Sequence, residues 1–487
     1  MNKTGASTSP PTAVIVLAAG AGTRMKSTKP KVLHEVAGMT LIDHVLHAAA
    51  PLSSANTLVV VGHGKEQVLP HLTQVHPQVA TVVQEQQNGT GHAAGIALQL
   101  LAHASGPVLI LAGDTPLLTT SDMQRTLAGL AENAAVVLTA HLSQPAGYGR
   151  IVRSASGGVE AIIEDRDATD AQREITEVNS GVYAFDAQLL RSALANLKTD
   201  NSQGEQYLTD VLSILRSQGH SVAATVTSQE NILGVNDRRQ LAAAGAILRT
   251  RICDEWMLAG VSMVDPTTVW IDRTAELEPD VTLLPNVAIT GKSVIRGGAT
   301  IGPDCTLHDT VAEHRATVTR TTSIGAIIGE GATVGPYTYL RPGTVLGSGA
   351  KAGGFVEMKN ATLGKNAKVP HLSYVGDATI GEGTNIGAAT VFVNYDGQEK
   401  HHTTVGNQVR IGSDTMLVAP LVIGDGAYTA AGSVITQDVP AGAMAVGRAR
   451  QSNILDWVLR RRPGSDSAKA ALADSSHKNI KSKKNTE

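Results

Sequence analysis

The sequence predicts an α/β protein in two parts, a mainly parallel sheet with helices in the first half and a parallel β-helix in the second. Three observations lead there. Residues 295 to 435 repeat an aliphatic residue, often followed by Gly, about every six positions. Ahead of residue 238, apolar runs of strand length alternate with longer segments of helical pattern. Aromatics make up only 3% of the chain while 49 residues are Gly, which fits a solenoid with glycine at its corners.

The first half carries the apolar runs Ala13–Ala18, Leu58–Val61, Val108–Ala112 and Val136–Thr139. Segments such as Leu41–Ala50 and Gly91–Ala102 separate them. Strands alternating with helices argue a mainly parallel sheet, with ligands gathered at the carboxyl ends of its strands. Residues Arg238 to Ala259 then place Leu241, Leu248, Ile252 and Trp256 at helical spacing, and read as a long linker helix. The expected division is 1–238, 239–259 for the linker, 260–464 for the β-helix and 465–487 for a tail.

The repeat begins at Ile295, Ile301-Gly302 and Leu307, and returns at Ile328-Gly329, Val334-Gly335, Leu340, Leu346-Gly347, Ala352-Gly353 and Met358. Its phase slips and resumes at Leu363-Gly364, Val369, Val375-Gly376, Ile380-Gly381 and Ile386-Gly387. A last series is Val405-Gly406, Ile411-Gly412, Leu417, Ile423-Gly424, Thr429 and Ile435. Each unit supplies a short strand and a turn, with its aliphatic residue pointing inward and Gly expected at a corner of unusual dihedrals. Rigid rods and acyltransferases both use such a scaffold. The longest interruption, Asn394 to His402, is polar, and a solenoid ejects such an insertion as a loop, often on its binding face.

Composition bounds the rest. Net charge is −3, with 42% hydrophobic and 17% charged residues, so nothing suggests nucleic-acid or membrane binding. Cys253 and Cys305 are the only cysteines, without metal spacing or a disulfide framework. Met1 to Pro11 is polar and unlike a signal peptide, and no apolar stretch approaches the roughly 20 residues of a membrane span. A reducing cytoplasm is expected. From Ser465 the chain is rich in Ser, Ala and Lys and is expected to be disordered.

The first strand runs into Leu17-Ala18-Ala19-Gly20-Ala21-Gly22-Thr23-Arg24-Met25. Glycines let main-chain amides approach a phosphate. The dinucleotide fingerprint would need Gly where Met25 stands, and no Walker Lys-Ser/Thr pair follows, so neither of those sites is present. Arg24 and Lys31, the latter in Pro30-Lys31-Val32-Leu33, add two cations suited to a polyphosphate. A tight turn with solvated side chains is the alternative for this loop alone. Asp114, following Ala112-Gly113 at a strand end, reads equally as a helix cap or a metal ligand.

Leu17 to Met25 with Pro30 to Leu33 resembles the signature of sugar-1-phosphate nucleotidylyltransferases. The segment Gln84-Glu85-Gln86-Gln87-Asn88-Gly89-Thr90-Gly91-His92-Ala93 resembles their uridylyl branch. With the hexapeptide half behind them, the chain to about Pro463 resembles the bifunctional bacterial uridylyltransferase/acetyltransferases that make UDP-N-acetylglucosamine for cell-wall precursors. The resemblance implies a Rossmann-like first domain, a left-handed β-helix and a homotrimer.

It also implies roles. Leu17, Ala18, Ala19, Gly20, Arg24, Lys31, Ala112 and Gly113 would bind UTP, with Gln84, Gly89 and Thr90 reading uracil. Asp114 and Asn236 would bind magnesium, and Gly149, Glu164 and Asn179 the sugar of N-acetylglucosamine-1-phosphate. In the second half His371 would be the catalytic base, beside Arg341, Lys359, Tyr374 and Asn385 for glucosamine-1-phosphate. Asn394, Tyr395, Ala388, Ser413, Ala431 and Arg448 would hold acetyl-CoA. Pro370 and Ala389 stand where relatives more often carry Gly, which puts the shape of the acetyl pocket in question. Two rivals remain, a single-activity nucleotidylyltransferase with a purely structural β-helix and a non-catalytic nucleotide-sugar sensor.

Overall fold

The computed structural model describes residues 10–155 and 157–474. Its N-terminal sheet has the strand order Val222–Val226, Ala135–His141, Glu177–Asp186, Pro107–Ala112, Ala13–Ala18, Thr57–Val61, Ala80–Val83. Glu177–Asp186 runs antiparallel to both neighbours, and the other pairs along this path are parallel. The first strand shows why an unbroken apolar run forms a central strand. Ala13 and Ile15 enter one core, while Val14 and Val16 enter the core on the opposite face, and all four are fully buried. Three strands fell outside the apolar runs. Ala80–Val83 is an exposed edge, Glu177–Asp186 is interrupted by Asn179, Ser180 and Gly181, and Val222–Val226 is half covered. A hairpin, Arg150–Arg153 with Val159–Ile163, adds to the Glu177–Asp186 strand.

The linker helix spans Arg238–Leu258, and the Asp237 side chain caps it by accepting from the Arg239 and Gln240 amides. Leu248 and Ile252 are buried, and Leu241 and Trp256 pack half-buried against the same core, which continues into the β-helix. The Arg273 amide donates to the Ala37 carbonyl at 2.9 Å, so the first coil also touches the N-terminal half directly.

The second half is a left-handed parallel β-helix whose strands begin at Ser262, some way ahead of the first unit noted in the repeat. Leu277, Leu283 and Ile289 belong to the same inward series, but none is followed by Gly, which hides them. One ladder runs Ile328, Leu346, Leu363, Ile380, Val405, Ile423 through successive coils. The longer step from Ile380 to Val405 contains the ejected Asn394–His402 loop. Every aliphatic residue named in the repeat is buried.

The role expected for glycine holds at Gly302 and Gly335, whose φ values are +111° and +103°, and needs correcting at the other glycines of the repeat. Gly329, Gly347, Gly364 and Gly381 have no positive φ. A Cβ on them would instead stand 2.4, 2.8, 2.7 and 2.5 Å from main-chain atoms of the next coil. Neighbouring strands lie roughly 4.8 Å apart, and here only hydrogen fits between them. Other left-handed corners fall on glycines such as Gly331 and Gly349 and on Asp, Asn or larger residues such as Asp304, Tyr337 and Phe355.

The tail also departs from expectation. Asp466–Ala473 is helical, capped by the Ser465 side chain accepting from the Ala468 amide. Its alanines are strong helix formers and Ala468 is buried, so local propensity succeeds without a large apolar core. Residues 475–487, and residues 1–9 at the other end, lie outside the described residues. Among the described residues no helix is long and apolar enough to cross a membrane.

Gly381→Ala should destabilise the β-helix by about 1–3 kcal/mol, the usual cost of overpacking, whereas the exposed Lys365→Ala should stay within about 0.5 kcal/mol of wild type. Urea unfolding followed by far-UV circular dichroism reads both. Equal midpoints would contradict the proposed steric origin.

Candidate functional site

The strands Ala13–Ala18 and Pro107–Ala112 are parallel, so their carboxyl ends open on the same side. The Gly113 amide donates to the Leu17 carbonyl at 2.9 Å. Beyond it the chains diverge around a cleft of about 370 Å³. Leu17, Ala18, Ala19, Gly20, Lys31, Gln84, Gly89, Thr90, Ala112, Asp114, Glu164 and Asn179 all line it. A smaller hollow of about 220 Å³ takes in Arg24 and Asn236 and shares Ala112 and Asp114 with the cleft. Segments far apart in sequence thus meet around Asp114.

Gly22 sets up this meeting. Its φ is +58°, and a Cβ there would lie 2.6 Å from Lys31 Cβ, so glycine permits both the turn and the approach of Lys31. The Lys31 ammonium donates to Asp114 Oδ2 and, at 3.1 Å, to Asn236 Oδ1. Asn236 arrives just ahead of the linker helix, and the Val235 amide donates to the Asp114 carbonyl at 2.9 Å. Two side-chain oxygens therefore converge on one positive charge. That donor set fits a divalent cation which takes its remaining ligands from phosphate and water. Among the described residues no group of three or more His, Cys, Asp or Glu could hold a metal by itself.

Another group of cleft residues centres on Glu164 and Asn179. Gly149 accepts from the Asn179 amide at 2.9 Å, and a Cβ on Gly149 would stand 3.5 Å from both Asn179 and Glu164. Asn179 donates to the Tyr183 hydroxyl at 2.6 Å. Burial pushes the Glu164 carboxyl above the ordinary glutamate value, only partly offset by the Thr209 hydroxyl donating to it at 3.4 Å. Asp167, Asp210 and Asp165 push it further in the same direction.

On the β-helix, Glu357, Tyr374 and Val391 are stacked neighbours in successive coils. Tyr374 folds over Gly376, where a Cβ would be 2.4 Å from the tyrosine hydroxyl and 2.7 Å from Asn394 Nδ2. Asn394 is buried and donates to Asp377 at 2.5 Å. Arg341 donates to Glu357 at 2.8 Å. The Lys400 ammonium faces Lys359 and lowers it below the ordinary lysine value. His371 is exposed at the edge of its strand, paired through the main chain with Gly354, and Tyr395 projects on the ejected loop. Asn385 sits on the next coil, bridged to Lys368 of the His371 strand and to Arg410.

Ala388, Ser413, Ala431 and Arg448 stack along one edge. The Asp414 amide donates to Ala388 and the Gly432 amide to Ser413. A Cβ on Gly412 would meet the Ala431 nitrogen at 2.5 Å, and one on Gly432 would lie 3.6 Å from Arg448. Ala389 adopts φ +58°, a conformation that favours the glycine expected there, while Gly353 packs against the Pro370 carbonyl.

Several lining residues were not singled out from sequence. Gln87 donates to the Ala19 carbonyl at 2.9 Å and ties the glutamine-rich segment to the Gly-rich loop. Glu205, Thr209 and Tyr183 line the cleft. Lys400 and Asp377 join the β-helix cluster. Only Gln87 and Lys400 lay inside segments already conspicuous in the sequence, and the others follow from packing.

Because the folded state raises the Glu164 pKa, it binds more protons than the unfolded chain above the ordinary glutamate value, and stability falls as pH rises through that window. Glu164→Gln should therefore melt higher than wild type at pH 8. The advantage should vanish below about pH 4, where both forms are neutral. A pH-independent difference in melting would refute the burial argument.

Comparison with known proteins agrees with this geometry. Residues 14–182 match the family described as the MobA-like NTP transferase domain. The chain is 56% identical over 468 residues to the bifunctional protein GlmU of Streptomyces coelicolor, covering 95% of this chain and 97% of that protein. It is 54% identical to GlmU of Streptomyces avermitilis, covering 95% and 97%. To GlmU of Corynebacterium jeikeium it is 53% identical, covering 95% and 96%. On this identity along nearly its whole length, the chain belongs to the GlmU family of bifunctional transferases.

Proposed function

We propose that the two transfers of this bifunctional enzyme are carried out by the residues grouped around Asp114 and around His371. As a GlmU-family enzyme the chain makes UDP-N-acetylglucosamine, acetylating glucosamine-1-phosphate from acetyl-CoA and joining the product to UTP. The observation that carries the residue-level reading is the convergence of Lys31, Asp114 and Asn236 at the mouth of the nucleotide cleft.

In the N-terminal half the nucleophile is a phosphate oxygen of N-acetylglucosamine-1-phosphate, already largely ionised near pH 7. It attacks the α-phosphorus of UTP, and pyrophosphate leaves. No protein base is required. Arg24 and Lys31 bind the triphosphate and neutralise the leaving charge, while Leu17, Ala18, Ala19 and Gly20 hold the chain close to the nucleotide. Gln84, Gly89 and Thr90 read uracil, and Gly149, Glu164 and Asn179 hold the acetylated sugar, consistent with an environment that disfavours charge on Glu164. The divalent metal is magnesium, held by Asp114 and Asn236, and it supplies charge stabilisation on the phosphates.

In the C-terminal half the amine of glucosamine-1-phosphate must lose a proton to attack the thioester. His371 accepts it, the new amide bond forms, and CoA leaves as the thiol. Arg341 and Lys359 meet the sugar phosphate, with Tyr374 and Asn385 beside them. Asn394 and Tyr395 orient the acetyl group, and the edge Ala388, Ser413, Ala431 and Arg448 receives CoA. The enzyme works as a homotrimer in the cytoplasm. Support for assembly comes from a column of exposed apolar corners, Tyr337, Phe355 and Leu372, all with positive φ. The first two rings stack at 5.2 Å, and the third residue adjoins His371. The buried, unpaired Cys253 and Cys305 suit a reducing compartment.

Asp114→Ala, or EDTA, should abolish UDP-sugar formation and leave acetyl transfer intact. His371→Ala should do the reverse, lowering acetyl-transfer kcat on the order of 10²–10⁴-fold. Assays that supply each intermediate separately read both, and loss of both activities in either variant would end this division of labour.

Phe355→Asp should dissociate the assembly and remove acetyl transfer before uridylyl transfer. A fully active monomer in sedimentation at assay concentration would rule out the trimer.

A further inference from the structure

Gln84 is 4% exposed, held just past the strand Ala80–Val83 by its amide donating to the Val61 carbonyl at 2.8 Å. Its side-chain nitrogen has two partners, the Gly89 carbonyl at 3.1 Å and His92 Nδ1 at 3.0 Å. A carbonyl only accepts, so the atom facing it is Nε2, and the direction of the amide is settled without reference to the imidazole. With one Nε2 hydrogen on Gly89, the other goes to His92. His92 Nδ1 must then be a bare acceptor, and the ring carries its proton on Nε2. Among the described residues Oε1 takes no protein hydrogen bond, yet it is not among the enclosed unpartnered atoms. Gln84 lines the nucleotide cleft, so an acceptor is what it offers there.

That choice of atom decides which pyrimidine fits. Uracil presents an N–H at position 3, which an acceptor pairs with. Cytosine presents a bare nitrogen at that position, and two acceptors would then oppose each other. Held by Gly89 alone, the amide could turn over for the loss of one hydrogen bond. With the His92 ring protonated on Nε2, the turned amide would set Oε1 against the Gly89 carbonyl and Nδ1 together, and the ring would have to move its proton to Nδ1 to relieve the second of these.

The histidine is placed to do this. It lies in the first turn of the helix Thr90–Leu100, whose start is fixed on both sides. The Gly91 amide donates to the Gln206 carbonyl at 2.8 Å, and the Thr90 hydroxyl accepts from the Leu208 amide at 3.0 Å. Gly89, at φ +102°, leaves no room for a Cβ, which would stand 2.4 Å from the Gln206 carbonyl oxygen. We infer that His92 is a positioning residue which, together with the Gly89 carbonyl, locks the Gln84 amide with its oxygen toward the nucleotide and so sets selection of uracil over cytosine. The inference rests on the reading of Gln84 as the pyrimidine contact.

The test compares kcat/KM for UTP and CTP, with N-acetylglucosamine-1-phosphate supplied, in wild type, His92→Leu, His92→Asn and Gln84→Leu. His92→Leu should lower the UTP-over-CTP ratio by roughly 3- to 10-fold, the worth of one hydrogen bond, mainly through the KM for UTP. His92→Asn, whose Oδ1 can accept near the place of Nδ1, should keep the ratio close to wild type. Gln84→Leu should remove most of the discrimination. Acetyl transfer from the β-helix half serves as the folding control, and His92→Ala carries the same expectation if His92→Leu does not fold. A ratio unchanged in the His92 variants but collapsed in Gln84→Leu overturns the inference and leaves the reading of Gln84 standing. An equal loss on UTP and CTP in His92→Leu also overturns it, since that marks a purely structural role. A ratio unchanged in Gln84→Leu brings down the reading and the inference together.

Discussion

Successive coils of the β-helix approach so closely along the column Gly329, Gly347, Gly364 and Gly381 that only hydrogen fits between their main chains. Much else follows from that spacing. In-register stacking carries Ile328, Leu346, Leu363 and Ile380 into one inward ladder. Residues that cannot join the stack must leave it, and the polar run Asn394–His402 does so as a loop. The loop delivers Lys400 to Lys359, while its first residue, Asn394, stays buried on Asp377. A scaffold this regular holds polar groups from different coils at fixed separations, which acyl transfer between two bound substrates requires.

The N-terminal half solves another electrostatic problem. Its proposed ligands carry many negative charges, yet Asp114 lines the cleft. The Lys31 ammonium bridges Asp114 and Asn236 and so balances the Asp114 charge locally. Around Glu164 burial disfavours the charged form instead. The same cleft thus favours charge around Asp114 and discourages it around Glu164.

Much of this was legible in the sequence for physical reasons. The aliphatic hexads were readable because every inward position of a β-helix is buried and must be apolar. The apolar run Ala13–Ala18 was readable because a central parallel strand is covered on both faces. Lys31, Gln84 and Asp114 stood out because they lie in short segments where glycine and polar residues interrupt such runs. The strand Glu177–Asp186 was not legible, because Asn179 and Gly181 face the cleft and break its pattern.

The sequence by itself determined the two architectures, their order and the residue types available for chemistry, since periodicity and burial are local properties of the chain. Tertiary structure alone decided which distant side chains meet. Lys31 reaches Asp114 and Asn236 across the sheet, and Glu164 meets Gly149 and Asn179 around the hairpin. It also decided why the glycines are needed, since contact between coils is invisible in a linear pattern. The direction of the Gln84 amide belongs with these, because it depends on a carbonyl and an imidazole whose positions only the packed helix start fixes.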